Sequence, residues 1–162
     1  GVILAELSRR SATLAIVETF TSGQIAARIG PLPGAETVLR RGVLARDLDD
    51  LWRAVNAPDD QAPRGELTRE TAEAVARALQ RFSEATYALA ALIDLDEGAD
   101  RIEFGGTLCL AIASANEVAS RRSRIVGGRE WVRLGAVEMG LDCLRRYLQG
   151  LPVDERIDFE KR

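Results

Sequence analysis

The chain has 162 residues, of which 46% are hydrophobic and 29% charged, and its formal net charge is −3. This length and composition predict one globular domain with a sizeable core, without a basic field that would favour nucleic acid. The chain contains no histidine and its only lysine is Lys161, which excludes a Ser–His–Asp triad and any histidine-ligated metal site.

The first third of the chain alternates between helical and strand patterns. Residues 2–11 carry apolar side chains at helical spacing, and the continuous apolar run 14–17 predicts a strand buried on both faces. Residues 24–30 predict a helix that is ended by glycine and proline, and residues 37–46 predict a second strand. Residues 47–56 predict a short helix with acidic residues in its first turn.

The rest of the chain repeats this alternation and then changes it. Residues 68–84 predict a strong helix opened by a threonine, and residues 87–93 predict a third buried strand. Residues 107–114 and 118–126 predict a hairpin, whose second strand mixes apolar and basic residues as edge strands do. After two glycines, a long helix is expected through Arg146.

Alternating buried strands and helices predict an α/β fold. We expect a three-layer α/β/α domain with a mostly parallel, mixed sheet of about five strands, in which the late hairpin supplies the antiparallel strand. Residues 1–150 are assigned to this single domain, and residues 151–162 to a C-terminal tail with no partner of its own.

Cysteine usage and hydropathy bear on the location of the protein. Cys109 and Cys143 both lie in apolar patterns, where cysteine more often fills a core than forms a disulfide. No apolar run is long enough to span a bilayer, and the first residues lack the basic region of a signal peptide. We therefore expect a cytoplasmic protein with neither membrane nor nucleic-acid partners.

The stretch 18–23, Glu-Thr-Phe-Thr-Ser-Gly, is the first candidate for a functional site. In open α/β sheets, ligands collect where strands end, and helix N-termini bind anions. An ordinary strand-to-helix turn also needs a cap for its free N–H groups, which Thr21 or Ser22 could provide. The turn alone leaves both interpretations open.

The order of motifs along the chain strengthens the functional interpretation. The segments are residues 17–23 (VETFTSG), 33–35 (PGA), 41–46 (RGVLAR), 87–97 (YALAALIDLDE), 105–111 (GGTLCLA) and 125–129 (IVGGR). Together they resemble the C-terminal domain of the CinA (competence/damage-inducible) family, the nicotinamide mononucleotide deamidase domain. The corresponding family motifs are A-E-S-C-T-G-G, P-G-S/A, G-G-V-V-A-Y, Y-A-L-A-V-T-G-I-A-G-P, V-G-T-V-Y-I-A and F-P-G-D-R. The resemblance covers residues 3–149.

The sequence departs from this pattern where the resemblance implies chemistry. Thr19 stands at the position of the family's nucleophilic serine, Arg46 at that of its tyrosine, and Leu51 where a proton-transferring lysine is expected. A glycine-rich loop is replaced by residues 92–97, which carry three acids and no glycine. Without a base, a hydroxyl nucleophile loses roughly 10²–10⁴-fold in rate, and added acids repel a phosphate.

Besides a purely structural interaction protein, two functions remain open at this point. The first is a divergent member, impaired as a deamidase, that keeps part of an anion or nucleotide pocket or acts as an oligomeric binding module. The alternative is an active amidohydrolase of the nicotinamide mononucleotide deamidase type, with Thr19 as its catalytic nucleophile. The resemblance also implies a homo-oligomer, and no cofactor is expected.

The candidate ligand-binding residues follow from the turn and from the family positions that match. They are Thr21, Ser22, Gly23 and Arg129. Each has an ordinary structural alternative: the two hydroxyls could only cap a helix, and the arginine could be a surface charge at a helix start. The expected ligand is a small-molecule anion or a nucleotide.

Two charged groups complete the sequence-based expectations. Asp94, Asp96 and Glu97 could suggest a metal site, but a solvated loop is the favoured interpretation and no metal is expected. The arginines of residues 118–126, which are Arg121, Arg122 and Arg124, are interpreted as an exposed strand face, with a partner surface as the alternative.

Overall fold

The computed structural model describes residues 1–45, 47–58, 67–96 and 105–154. Its elements are, in chain order, α1 (Val2–Arg9), β1 (Leu14–Glu18), α2 (Gln24–Ile29), α3 (Ala35–Val38), β2 (Leu39–Leu44), α4 (Leu48–Ala54), α5 (Arg69–Ser83), β3 (Tyr87–Leu95), β4 (Gly105–Ala113), β5 (Val118–Val126) and α6 (Arg129–Leu148).

The five strands form one mixed sheet in the order β2-β1-β3-β4-β5. β1 lies between β2 and β3 and is parallel to both. β4 is antiparallel to β3 and to β5, so it is the one reversed strand of the five. The predicted mixed α/β sheet, including its late hairpin and the edge position of β5, is therefore confirmed.

Helices cover both faces of the sheet and divide the core into two clusters. On one face, the helices α1, α2, α3 and α6 pack against side chains such as Leu14, Ile16 and Leu110. On the other face, α4 and α5 pack against Ala15, Val17 and other small residues. All five residues of β1 are buried, as the continuous apolar run predicted, because helices cover this strand from both sides.

The second strand begins later than the sequence predicted. Thr37 and Val38 belong to the short helix α3, which starts after Gly34, a residue with φ +90°. The Thr37 hydroxyl donates to the Gly34 carbonyl at 2.9 Å, and such local bonds compete with strand pairing. β2 therefore covers only Leu39–Leu44.

The prediction of an exposed arginine face on β5 is wrong for Arg121, whose relative exposure is 2%. Alternation along the strand turns Arg121 and Ser123 to the same face as Ile125, which packs in the cluster with α6, whereas Arg122 points to the other face and is exposed. The Arg121 guanidinium donates to Ser123 Oγ at 3.0 Å and to the Val153 carbonyl at 3.1 Å. Residues 155–162 of the tail lie outside the described residues.

Candidate functional site

The turn after β1 has an unusual backbone. Phe20, Ser22 and Gly23 have positive φ angles of 66°, 56° and 81°. Left-handed conformations are uncommon for residues other than glycine, and those that occur often lie at ligand sites and in tight turns. The turn reverses the chain tightly enough for the Thr21 N–H to reach the Thr19 carbonyl at 2.7 Å.

The cap of α2 comes from the strand and not from the turn. Glu18 is 2% exposed, and its carboxylate accepts the N–H groups of Ile25 and Ala26, each at 3.0 Å. The Thr21 hydroxyl donates to the same carboxylate at 2.5 Å. The residue before the helix, Gly23, makes no side-chain cap. The predicted cap by Thr21 or Ser22 is therefore wrong, because a charged acceptor already satisfies the amides concerned.

The Thr19 side chain is 6% exposed and faces the neighbouring strand. Its hydroxyl oxygen accepts the N–H of Ile93 at 3.0 Å, while its own N–H donates to the Ala91 carbonyl at 3.1 Å. These two bonds join the end of β1 to the end of β3. Within the described parts of the chain, no carboxylate bonds to the Thr19 hydroxyl.

Three backbone N–H groups of the turn face no acceptor. Among the residues that the structure describes, nothing accepts from the N–H of Phe20, Ser22 or Gly23. The Ser22 side chain is exposed and its hydroxyl makes only a long bond, of 3.4 Å, to the Phe20 carbonyl. Successive N–H groups in a turn with left-handed residues can form a concavity that binds anions.

Arg129, which is 106 positions beyond Gly23 in the sequence, lies against this turn. It is the first residue of α6, and its guanidinium carbon lies 5.3 Å from the centre of the Phe20 ring. At this distance the cation interacts with the face of the ring, which contributes about 0.5–1 kcal/mol at an exposed position. The structure thus brings together two of the sequence-predicted segments, the turn and the start of the last helix.

A cavity of about 590 Å³ lies between these two segments. Its lining consists of Glu18, Phe20, Ser22, Leu44, Ala45, Arg129, Glu130 and Arg133. This volume is within the range of small-molecule sites in proteins. Thr19 and Thr21 do not line the cavity: the first is directed to β3 and the second to Glu18.

Charges of both signs surround the cavity. Arg133 makes two hydrogen bonds to the carboxylate of Glu130, one turn earlier in α6. This contact lowers the pKa of Glu130 and raises that of Arg133. Arg133 is therefore engaged locally with Glu130, and the guanidinium of Arg129 lies over the Phe20 ring. Leu44 supplies an apolar wall, with its side chain 61% exposed.

The remaining positions singled out by the resemblance lie elsewhere. Leu51 is completely buried in α4, among the apolar residues below the sheet. Arg46 and Glu97 lie outside the described residues. The position expected to hold a lysine is thus part of the hydrophobic core, where an aliphatic side chain stabilises the fold.

Of the three acids that were predicted to form a solvated loop, the structure describes Asp94 and Asp96, and both differ from that prediction. β3 extends to Leu95, so Asp94 is a strand residue. The carboxylate of Asp96 pairs with Arg124 through contacts of 2.7 and 2.5 Å and also accepts the Gly105 N–H at 3.2 Å. No group of three or more metal-ligating side chains occurs in the part of the chain that the structure describes.

The Asp96–Arg124 pair makes the free energy of unfolding depend on pH. The hydrogen bonds from Arg124 lower the pKa of Asp96. Because the pKa of Asp96 is lower in the folded than in the unfolded chain, the ionised carboxylate stabilises the fold. This stabilisation is complete at pH values above the unfolded-state pKa of about 3.9, and it is lost as the pH falls through the folded-state pKa. Because both side chains are partly exposed, we expect a contribution of at most about 1 kcal/mol. Urea denaturation of Asp96→Asn should show this difference at pH 7 and a smaller one near pH 2.5; an unchanged difference contradicts the prediction.

Six residues of the cavity lining are not among the ligand-binding residues that the sequence predicts. They are Glu18, Phe20, Leu44, Ala45, Glu130 and Arg133. The position of Glu18 in the turn motif was noted, but only the packing of α2 onto β1 shows that its carboxylate reaches two helix amides. Phe20 and Leu44 cannot be recognised as cavity residues from the sequence, because apolar residues near strand ends are common in any α/β protein.

Comparisons with known proteins agree on the family of this chain. The CinA C-terminal domain family model matches residues 1–148. A CinA-like protein of Frankia casuarinae is 33% identical over 156 residues, covering 96% of this chain and 36% of that protein. A CinA-like protein of Myxococcus xanthus is 32% identical over 156 residues, covering 94% and 37%. The chain thus spans a little over a third of the length of these curated relatives.

Solved structures show the same fold. A competence or damage-inducible protein from Enterobacter asburiae superposes with a TM-score of 0.77 at 18% identity, covering 91% of this chain and 94% of that one. A competence/damage inducible protein from Agrobacterium tumefaciens gives a TM-score of 0.72 at 21% identity, covering 92% and 96%. Among the described helices, none is long and apolar enough to cross a membrane.

Proposed function

The chain belongs to the CinA C-terminal domain family, and on this premise we propose that it is a divergent member impaired as a deamidase. In this proposal it keeps an anion- or nucleotide-binding pocket between the turn after β1 and the start of α6. The observation that carries the proposal is the placement of the Thr19 hydroxyl, which accepts a backbone N–H at 3.0 Å and is directed away from the cavity.

Among the residues that the structure describes, no general base is hydrogen-bonded to the Thr19 hydroxyl. A hydroxyl becomes a good nucleophile when a neighbouring base takes its proton, and such help is worth roughly 10²–10⁴-fold in rate. The position where the resemblance implies a lysine holds Leu51, which is buried. Threonine also carries a methyl group beside the oxygen, which restricts the rotation of the side chain. These features support a loss of about 3–5 kcal/mol of transition-state stabilisation.

The pocket itself supports retained binding. Arg129 lies over Phe20 in the cavity lining, and Ser22, which also lines the cavity, has an N–H without an acceptor among the described residues; the predicted Gly23 does not line it. A guanidinium and backbone N–H groups are the donors that carboxylates and phosphates prefer. Glu18 and Glu130 reduce the positive potential, so we expect weak binding of a single carboxylate or phosphate.

Ammonia release and thermal shift, measured together on the purified chain with pyridine nucleotides, test this function. We expect a thermal shift with nicotinamide mononucleotide or nicotinate mononucleotide, which Arg129→Gln reduces, and no ammonia above background. Arg28→Gln, on α2 and outside the cavity lining, is the matched control. Sustained ammonia release that Thr19→Ala abolishes would establish the alternative, an active amidohydrolase. The absence of any shift would remove the proposed pocket.

We further propose that the domain is a homo-oligomer, as the resemblance implies. Trp131 and Leu134 lie one turn apart on α6 and are 52% and 47% exposed, and large apolar side chains grouped on a surface commonly mark an interface. Light scattering at micromolar concentration should show at least a dimer, and Trp131→Glu should shift it towards the monomer. A monomeric wild-type protein at this concentration contradicts the proposal.

A further inference from the structure

A second cavity lies near the opposite end of the strands from the turn after β1. It has a volume of about 170 Å³ and lies between the last two turns of α5 and the loop that joins β4 to β5. Its lining consists of Arg77, Gln80, Arg81, Ser114, Ala115, Asn116 and Glu117. The cavity is too small for a drug-sized ligand, which needs about 300 Å³ or more, but it can hold one small polyatomic group.

Two arginines form the helical side of this cavity. Arg77 and Arg81 are four positions apart, so they lie on the same face of α5. Both are exposed, and neither makes a hydrogen bond or ion pair with any other described residue. Other arginines on the surface, such as Arg28 and Arg133, are paired with a glutamate. Two neighbouring guanidiniums without an anion repel each other, and a shared anion removes that repulsion.

Among the described residues that line the cavity there is one carboxylate, Glu117, and it has another partner. Glu117 accepts the hydroxyl of Tyr147 at 2.7 Å. Burial, together with this hydrogen bond, raises the pKa of Tyr147 to about 12, so the phenol remains a donor at neutral pH. The contact with Tyr147 engages one oxygen of Glu117, and among the described residues no ion pair joins Glu117 to Arg77 or Arg81.

The loop opposite the arginines is fixed in position. Ser114 Oγ accepts the N–H groups of Asn116 and Glu117 at 3.3 and 3.2 Å, and the Ser114 N–H donates to the Glu117 carbonyl at 2.9 Å. These bonds hold Asn116 at the rim of the cavity, where its amide can donate to an oxygen between the loop and the helix.

We propose that this cavity is a second anion site, separate from the candidate functional site, which binds a phosphate monoester group through Arg77, Arg81 and Asn116. Each guanidinium presents parallel N–H donors that match two phosphate oxygens. A phosphate monoester carries close to two negative charges at neutral pH and three terminal oxygens, which two arginines and an amide can satisfy together. The cavity admits the phosphate and leaves the rest of the ligand in solvent.

Backbone amide shifts of the ¹⁵N-labelled chain, followed by NMR, test the proposal with two probes. Inorganic phosphate and glycerol 2-phosphate are titrated separately at pH 7.5, with sodium chloride at matched ionic strength as the reference. We expect saturable shifts at residues 77–81 and 114–117 with both probes and none with chloride. Tighter binding of glycerol 2-phosphate would support an ester as the ligand, whereas equal or weaker binding of the ester would overturn the assignment to a monoester.

Three variants decide whether the arginines bind the probe. Arg77→Gln and Arg81→Gln should each weaken binding at this cavity about tenfold, since each removes a charge-assisted pair of hydrogen bonds. Arg53→Gln is the charge-matched control, because Arg53 is exposed on α4 and, among the described residues, its side chain bonds only the Asp49 carbonyl of its own helix. It should leave binding unchanged. Equal weakening by all three variants, or shifts confined to the turn after β1, would overturn the proposal.

Discussion

Replacing Glu18 with alanine is expected to lower the free energy of unfolding by about 3 kcal/mol, because buried bonds to a charged group contribute about 1.5–3 kcal/mol each. The substitution removes the acceptor of three donors, which are the Thr21 hydroxyl and the N–H groups of Ile25 and Ala26. The carboxylate is 2% exposed, so water can replace it only by entering the turn.

Urea denaturation of the Glu18→Ala protein measures this loss as a lower midpoint at unchanged slope. Thr21→Val is the matched variant, because it removes only one of the three donors and keeps the size of the side chain; about 1 kcal/mol is expected. If Glu18→Ala costs no more than Thr21→Val, the carboxylate does not hold the turn and α2 together in the way described.

Gly105→Ala should destabilise the fold even more, by about 3 kcal/mol or more, since overpacking against a rigid backbone has few ways to relax. A Cβ atom at Gly105 would lie 1.9 Å from the Ile125 carbonyl oxygen and 2.9 Å from the Val126 Cα. Both are backbone atoms of the neighbouring strand β5. The clash can therefore be relieved only if the β4–β5 hairpin opens at this end.

Gly42→Ala is the control for this substitution. Gly42 also lies in a strand, but its new Cβ atom would have only the Ala26 methyl group nearby, at 3.9 Å. We expect an unchanged or slightly higher free energy of unfolding, because alanine costs less conformational entropy than glycine. Thermal denaturation of the two proteins followed by circular dichroism makes the comparison. Equal melting temperatures would show that the β4–β5 register adapts to the extra atom.

The fold could largely be predicted because its signals are local. The continuous apolar runs in β1 and β3 indicated buried strands, and Thr68 marked the start of α5, where its side chain accepts the Thr71 N–H at 3.1 Å. α3 was missed for a local reason too. The four-residue helix Ala35–Val38 is too short for a periodic pattern, and its threonine and valine favour strands.

The features that could not be predicted depend on contacts between distant segments. Glu18 caps α2 from seven and eight positions away, outside the window that sequence rules for caps cover. Arg121 is buried because a carbonyl 32 positions later accepts its N–H. Asp96 is only partly exposed and pairs with Arg124, which reaches it from β5. In each case a polar side chain meets a partner that only the fold supplies.

The central position of β1 has a consequence for synthesis on the ribosome. This strand is completely buried between β2 and β3, but its partner on one side, Tyr87, lies 73 positions after Leu14. Until β3 has left the exit tunnel, the growing chain carries an apolar strand with one unpaired edge. Translation at roughly 5–20 residues per second makes this a delay of several seconds. During that time the nascent chain is a substrate for chaperones that bind exposed apolar segments, whereas the β4–β5 hairpin can close within microseconds of its release.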